Sequence, residues 1–189
     1  DLKQTTPETL LNLAKLLAFQ VGSEVSLNEL SKKLGIDIKT VKRYLSLLKE
    51  SFIIFELSAW STNLRKEIVK NKKYYFWDTG IRNALIGQFA SISIRPDKGN
   101  LWENFLIIER VKTQHYSQEL KNYYFWRSYD QAEIDWIEED FSSVTKKLEA
   151  FEFKWNKSKV VTPKSFVKNY STKAQVVNKK NYLDFVTNQ

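Results

Sequence analysis

Apolar residues recur at helical spacing through the first fifty positions. Leu10, Leu13, Ala14 and Leu17 share one face of a predicted helix. Thr6 is placed to cap it, and Pro7 sits in its first turn, where a missing N–H is no loss. The helix should run to about Gln20 and stop at Gly22. Ser26-Leu27-Asn28-Glu29 then reads as a capping box opening a second helix, with Leu27, Leu30 and Leu34 on its apolar face. Gly35 suits the left-handed residue that ends such a helix, and Asp37 caps a third. In that third helix Val41, Tyr44, Leu45 and Leu48 face inward, while Lys39, Thr40, Lys42, Arg43, Ser46 and Lys49 face out.

The period then shortens to that of strands. Phe52 to Trp60 and Lys72 to Trp77 read as two β-segments, with Ser61 to Asn71 between them. Phe76 to Gly87 leaves a strand and enters a helix for which Asp78 or Thr79 is the cap. Three helices followed by a hairpin is the order of a winged helix-turn-helix, with Arg65, Lys66 and Lys70 at the wing tip. In such a module the first turn of the third helix enters a DNA major groove, where Lys39, Thr40, Lys42 and Arg43 meet phosphates or base edges. That outer face carries no Asn or Gln, so base-specific readout is not indicated. The same pattern also fits a docking module whose lysines are merely solvated.

The cluster Arg95-Pro96-Asp97-Lys98-Gly99-Asn100 marks a boundary, dividing the chain into residues 1–95 and 96–189. Asn100 to Val111 reads as a helix buried along Leu101, Phe105, Ile108 and Val111, with Glu103 off the centre of that stripe. Strands are predicted over Asn122–Arg127, Glu133–Glu138 and Leu148–Trp155. An extended stretch at Val160–Thr162, a helix over Lys164–Tyr170 and a last strand over Ala174–Asn178 follow. The fold class expected is thus α+β or α/β: a winged helix-turn-helix, then an α/β domain with a central mixed sheet.

The chemistry lies on two of those strands. One carries Asp135, and the next carries Glu152-Phe153-Lys154, a spacing of 152 − 135 = 17 positions from acid to acid. Adjacent strands would bring the two carboxylates to one hard cation, Mg²⁺ or Mn²⁺, and the Phe153 carbonyl could join them. Lys154 could orient a water or balance charge on a phosphate, and Glu103 could add a third carboxylate. Alternation of Glu and Lys on a strand is also common on solvated faces.

Composition narrows the classes. The 189 residues include no Cys and one His, His115, which excludes disulfides, thiol catalysis and Cys-based zinc sites, and argues against a Ser-His-Asp triad. Lys and Arg exceed Asp and Glu by 30 − 22 = 8, which favours a polyanionic partner, most simply nucleic acid. From Lys154 onward there are eight Lys against one acid, Asp184. No apolar run spans a membrane and no signal-peptide pattern is present, so the cytoplasm is the expected compartment. The chain begins at Asp1 and has no Met, as expected of a piece of a longer protein.

Several short stretches together carry a family likeness: Tyr74-Tyr75-Phe76-Trp77-Asp78-Thr79-Gly80-Ile81, Gly99 to Phe105, Phe125-Trp126-Arg127 with Glu133-Ile134-Asp135-Trp136, and Phe151-Glu152-Phe153-Lys154. In their order they resemble the C-terminal region of bacterial and archaeal AAA+ ATPases that join a winged helix to a domain of unknown function, DUF4143. That domain has the PD-(D/E)xK, restriction-endonuclease-like fold. The motif's Pro is replaced here by Ile134. The resemblance implies a metal-dependent nuclease site at Glu103, Asp135, Glu152 and Lys154, with the metal on Asp135 and Glu152. It also implies an ATPase domain N-terminal to this region as partner. No G-x-x-x-x-G-K-[ST] occurs, so the ATP site is not in this stretch. The alternative is a catalytically silent platform that binds nucleic acid or regulates the ATPase. A further one is a protein-docking module using Trp60 or Trp102.

Overall fold

The computed structural model describes residues 6–60, 71–140 and 147–187. They form a mixed α+β chain with seven helices and seven strands among the described residues. The described residues up to Glu56, with Asn71–Arg95, form one compact unit; Leu57–Trp60 and the described residues from Pro96 onward form a second.

In the first unit α1 (Pro7–Phe19), α2 (Leu27–Leu34) and α3 (Ile38–Glu50) are set by their caps. The Thr6 hydroxyl accepts from the Thr9 N–H, Ser26 from Glu29, and Asp37 from Thr40. The second cap is only half of the expected box, because the Glu29 carboxylate turns to Lys33, 2.6 Å away. Gly35 ends α2 at φ 65, in the left-handed region that a Cβ would strain. Leu13, Leu17, Leu30, Val41, Tyr44 and Leu45 are buried among these helices. Short β1 (Glu24–Val25) pairs antiparallel with β3 (Lys72–Phe76), and β3 neighbours β2 (Ile54–Ala59). β2 starts two residues later than its apolar pattern suggests, because Phe52 adopts φ 54 and turns the chain. α4 (Thr79–Leu85) is capped by Asp78, whose carboxylate accepts from the Ile81 N–H at 2.8 Å.

The second unit is built on α5 (Lys98–Tyr116), β4 (Lys121–Arg127), β5 (Glu133–Asp140), β6 (Lys147–Phe153), α6 (Lys164–Tyr170), β7 (Ala174–Val177) and α7 (Tyr182–Thr187). The end of β2 runs parallel to β4, pairing Ser58 with Tyr124 and Ala59 with Phe125. β4, β5 and β6 are antiparallel neighbours, and β7 joins β6 in parallel at the edge. One face of this sheet is sealed by Trp126, Ile134, Ile137 and Ala150 against Phe166 of α6. α5 is longer than its sequence pattern predicts and buried more widely. Trp102, Asn104, Leu106, Ile107, Ile108, Arg110, Val111 and Gln114 are all inside, whereas Leu101 and Phe105 are only half-buried. A helix packed against both a strand and α7 has no single apolar stripe, so its buried face cannot be read from periodicity.

Candidate functional site

A register irregularity places the first carboxylate. Tyr124 pairs with Ile137 and Trp126 with Ile134, so Phe125 alone faces two residues of β5, Asp135 and Trp136. This is a β-bulge, which re-aims side chains relative to a regular strand. It lets Ile134 and Ile137 both enter the core while Asp135 turns towards the end of β6. There the Asp135 carboxylate accepts from the Phe153 backbone N–H at 2.8 Å and from Lys154 Nζ at 3.1 Å. Lys154 Nζ also lies 2.7 Å from Glu152 Oε2. The Lys154 backbone N–H is tied to the Val177 carbonyl at 3.0 Å, which fixes where the side chain departs.

One ammonium thus bridges two carboxylates that are each about nine-tenths buried. The charges are not in balance. Burial first, and then the neighbouring Asp135 carboxylate, push the Glu152 carboxyl above its ordinary range, although Lys154 pulls the other way. Burial also opposes the charge on Lys154, but Asp135 and Glu152 outweigh it and hold the ammonium above its usual value. Glu133, on the same strand as Asp135, adds further negative potential at Glu152. A cluster with two acids, a raised carboxyl and one cation is suited to taking up additional positive charge.

The remaining expected residues divide between the two units. Glu103 is half-buried on α5, and among the described residues no three Asp, Glu or His side chains converge as metal ligands. In the first unit Lys39, Lys42 and Arg43 are exposed on α3. Thr40 is committed to the cap: its hydroxyl donates to Asp37 Oδ2 at 2.7 Å, and this bonding holds Asp37 below the usual carboxylate range. Arg65, Lys66 and Lys70, the expected wing tip, lie outside the described residues.

A second charged cluster was not visible in the sequence. The Arg110 guanidinium of α5 grips Glu138 with two bonds of 2.8 and 3.0 Å. Gln114, Lys121 and the Trp136 indole N–H also donate to Glu138, at 2.7, 2.9 and 2.9 Å. Arg110 further donates to the Phe185 carbonyl of α7 at 2.9 Å. Burial alone would raise the Glu138 carboxyl, yet Arg110, Trp136 and Lys121 hold it below its ordinary range. The only local hint was Trp136-x-Glu138, two residues that share a strand face.

Residues 98–188 match a family model. Its description is Domain of unknown function (DUF4143). Residues 2–91 match another, Domain of unknown function (DUF8612). The chain is also similar to "Uncharacterized protein Mb2031c" of Mycobacterium bovis and "Uncharacterized protein Rv2008c" of Mycobacterium tuberculosis, each 30% identical over 122 residues. That stretch covers 64% of this chain and 27% of each relative, so the chain spans about a quarter of the length of these curated relatives. No solved structure matches the chain significantly. The match over 98–188 takes in the whole Asp135–Glu152–Lys154 cluster. Among the described residues no helix is long and apolar enough to cross a membrane.

Proposed function

We propose that the second unit is a metal-dependent nuclease domain of the restriction-endonuclease-like type, acting on DNA phosphodiesters. The first unit, read as a winged helix, would present α3 to the duplex. The observation that carries this reading is the bridge of Lys154 between Asp135 and Glu152 beside a β-bulge, with Glu152 held above its ordinary range. The donor set fits a hard divalent cation: two carboxylates from adjacent strands converge where the local charge is in excess. Asp135 and Glu152 would hold Mg²⁺ or Mn²⁺. Such an ion, when bound, supplies Lewis-acid polarisation of a phosphate oxygen and a more acidic water.

This chain's residues would do the rest. Asp135 is held in place by the Phe153 N–H, so its direction does not depend on Lys154. Lys154, a third exposed at its side chain, is the more accessible partner. It would leave the carboxylates for a non-bridging phosphate oxygen and meet charge that grows as water attacks phosphorus. The P–O bond to the leaving group would break with its electron pair going to the departing oxygen; the attacking water would give up a proton to solvent, and solvent would return one to the departing oxygen. Glu103 remains an accessory carboxylate in this reading. An ATPase N-terminal to this region, and the cytoplasm as compartment, complete the proposal.

One observation favours a second reading. Among the described residues no group of three Asp, Glu or His side chains is placed to hold a metal ion, and Asp135 already has two donors. This suits a nucleic-acid-binding or regulatory platform that does not cleave. Mn²⁺-dependent cleavage of supercoiled plasmid, single strands and branched DNA separates the two, with Asp135→Asn run alongside. The nuclease reading expects cleavage that the substitution abolishes. Binding without cleavage by the wild-type chain, or equal cleavage by both, rejects it.

A further inference from the structure

Two loops of the second unit are stitched together beside the carboxylate pair. The first leaves β6 through Lys154, Trp155 and Lys157; the second leaves β7 through Asn178, Lys179 and Lys180. β6 and β7 are parallel, so both loops emerge at the same end of the sheet. The Lys154 N–H donates to the Val177 carbonyl at 3.0 Å, and the Asn178 side-chain amide to the Lys157 carbonyl at 3.1 Å. Within the second loop the Asn178 N–H bonds Asn181 Oδ1 at 2.7 Å, the Lys180 N–H bonds Asn178 Oδ1 at 2.8 Å, and the Asn181 amide returns to the Val176 carbonyl at 2.8 Å. Asn178 is itself buried. Beneath the first loop the Trp155 ring meets Trp102 edge-on at 5.0 Å and carries Lys98 Nζ at 5.7 Å from its centroid.

These anchored loops present Lys157, Lys179 and Lys180 to solvent. None of the three has an ion pair with another described residue. The hydrogen bonds of Asn178 and Asn181 hold the backbone that carries these lysines in place. We propose that Lys157, Lys179 and Lys180 form a rim that binds the phosphate backbone of a nucleic-acid strand and leads it past Lys154. This rests in part on the nuclease reading, since the rim places a phosphodiester next to Asp135 and Glu152. Binding by the rim itself requires no cleavage. The competing role is protection: lysines beside the edge strand β7 also discourage strand-to-strand association.

The test uses fluorescence anisotropy of a labelled single strand and a labelled duplex across a salt series. It compares the chain with K157A/K179A/K180A, K39A/K42A/R43A and Asp135→Asn, each checked for an unchanged melting temperature. The rim variant should raise Kd by roughly tenfold to a hundredfold at low salt and flatten the log–log salt slope by about 2 to 3. Asp135→Asn should keep the full slope, so a loss of cleavage there would leave the rim standing. An unchanged slope in the rim variant overturns the proposal, whether binding moves to α3 or is lost nowhere. New aggregation of that variant without loss of binding assigns the lysines to edge protection and overturns it as well. Equal, rim-dependent binding to vesicles of phosphatidylserine and phosphatidylcholine would make the surface a general polyanion contact and reject the strand-specific role.

Discussion

Glu138 and Glu152 are both buried carboxylates of the same sheet, yet their surroundings treat charge in opposite ways. Glu138 receives donors from Arg110, Gln114, Lys121 and Trp136 and is held below its ordinary range. Glu152 has Lys154, shared with Asp135, and is held above its ordinary range. A buried carboxylate with every lone pair met ties elements together: here Arg110 links α5 and β5 to the Phe185 carbonyl of α7. A buried carboxylate whose charge is disfavoured keeps an appetite for a cation. The first is architecture, the second the candidate site, and burial alone would not have told them apart.

The largest expected effect lies at the sealed cluster. Arg110→Met strips Glu138 of its bidentate partner and should destabilise the fold by on the order of 3–5 kcal/mol, as for other broken buried pairs. Glu152→Gln should leave the urea midpoint unchanged or raise it, because it removes a charge the fold disfavours. If Arg110→Met unfolds no more easily than Glu152→Gln, the distinction between the clusters fails.

pH sharpens the comparison. Glu138 is lowered from 4.5, so its contribution is present above that value and is lost as pH falls through its lower folded value. Glu152 is raised from 4.5, so its contribution is fully present below that value and is lost as pH rises through its higher folded value. Urea unfolding of Glu152→Gln against pH should therefore lose the decline that begins above 4.5 and keep the acid limb below it. The reverse pattern would mean that the two environments have been exchanged.

The smallest effect belongs to the rim of the sealed cluster. Lys147, whose side chain is 69% exposed, sits 3.1 Å from Glu149. Lys147→Ala should change stability by no more than about 0.5 kcal/mol, because exposed pairs are screened. A larger loss in thermal unfolding would show that the network extends to the surface.

What the sequence revealed follows from the range of each interaction. The caps at Thr6, Ser26 and Asp37 act over three residues and could be read directly. The neighbourhood of Asp135 and Glu152 was legible because two alternating strands joined by a short connection pair with each other. The bulge that turns Asp135 was not, since it depends on which β4 residues lie opposite. Arg110 and Glu138 lie 28 residues apart on different elements, and their pairing depends on how α5 docks. Two-residue β1 and six-residue α7 are too short for periodicity to register.

The central claim is that the Asp135–Glu152 pair, and not the sealed cluster, takes up a divalent cation. Titration calorimetry of Mn²⁺ into the wild-type chain and into Glu152→Gln tests it most directly. Saturable binding is expected of the wild type and none of Glu152→Gln, with the variant's melting temperature unchanged or raised. Equal Mn²⁺ affinity in the two proteins would contradict it.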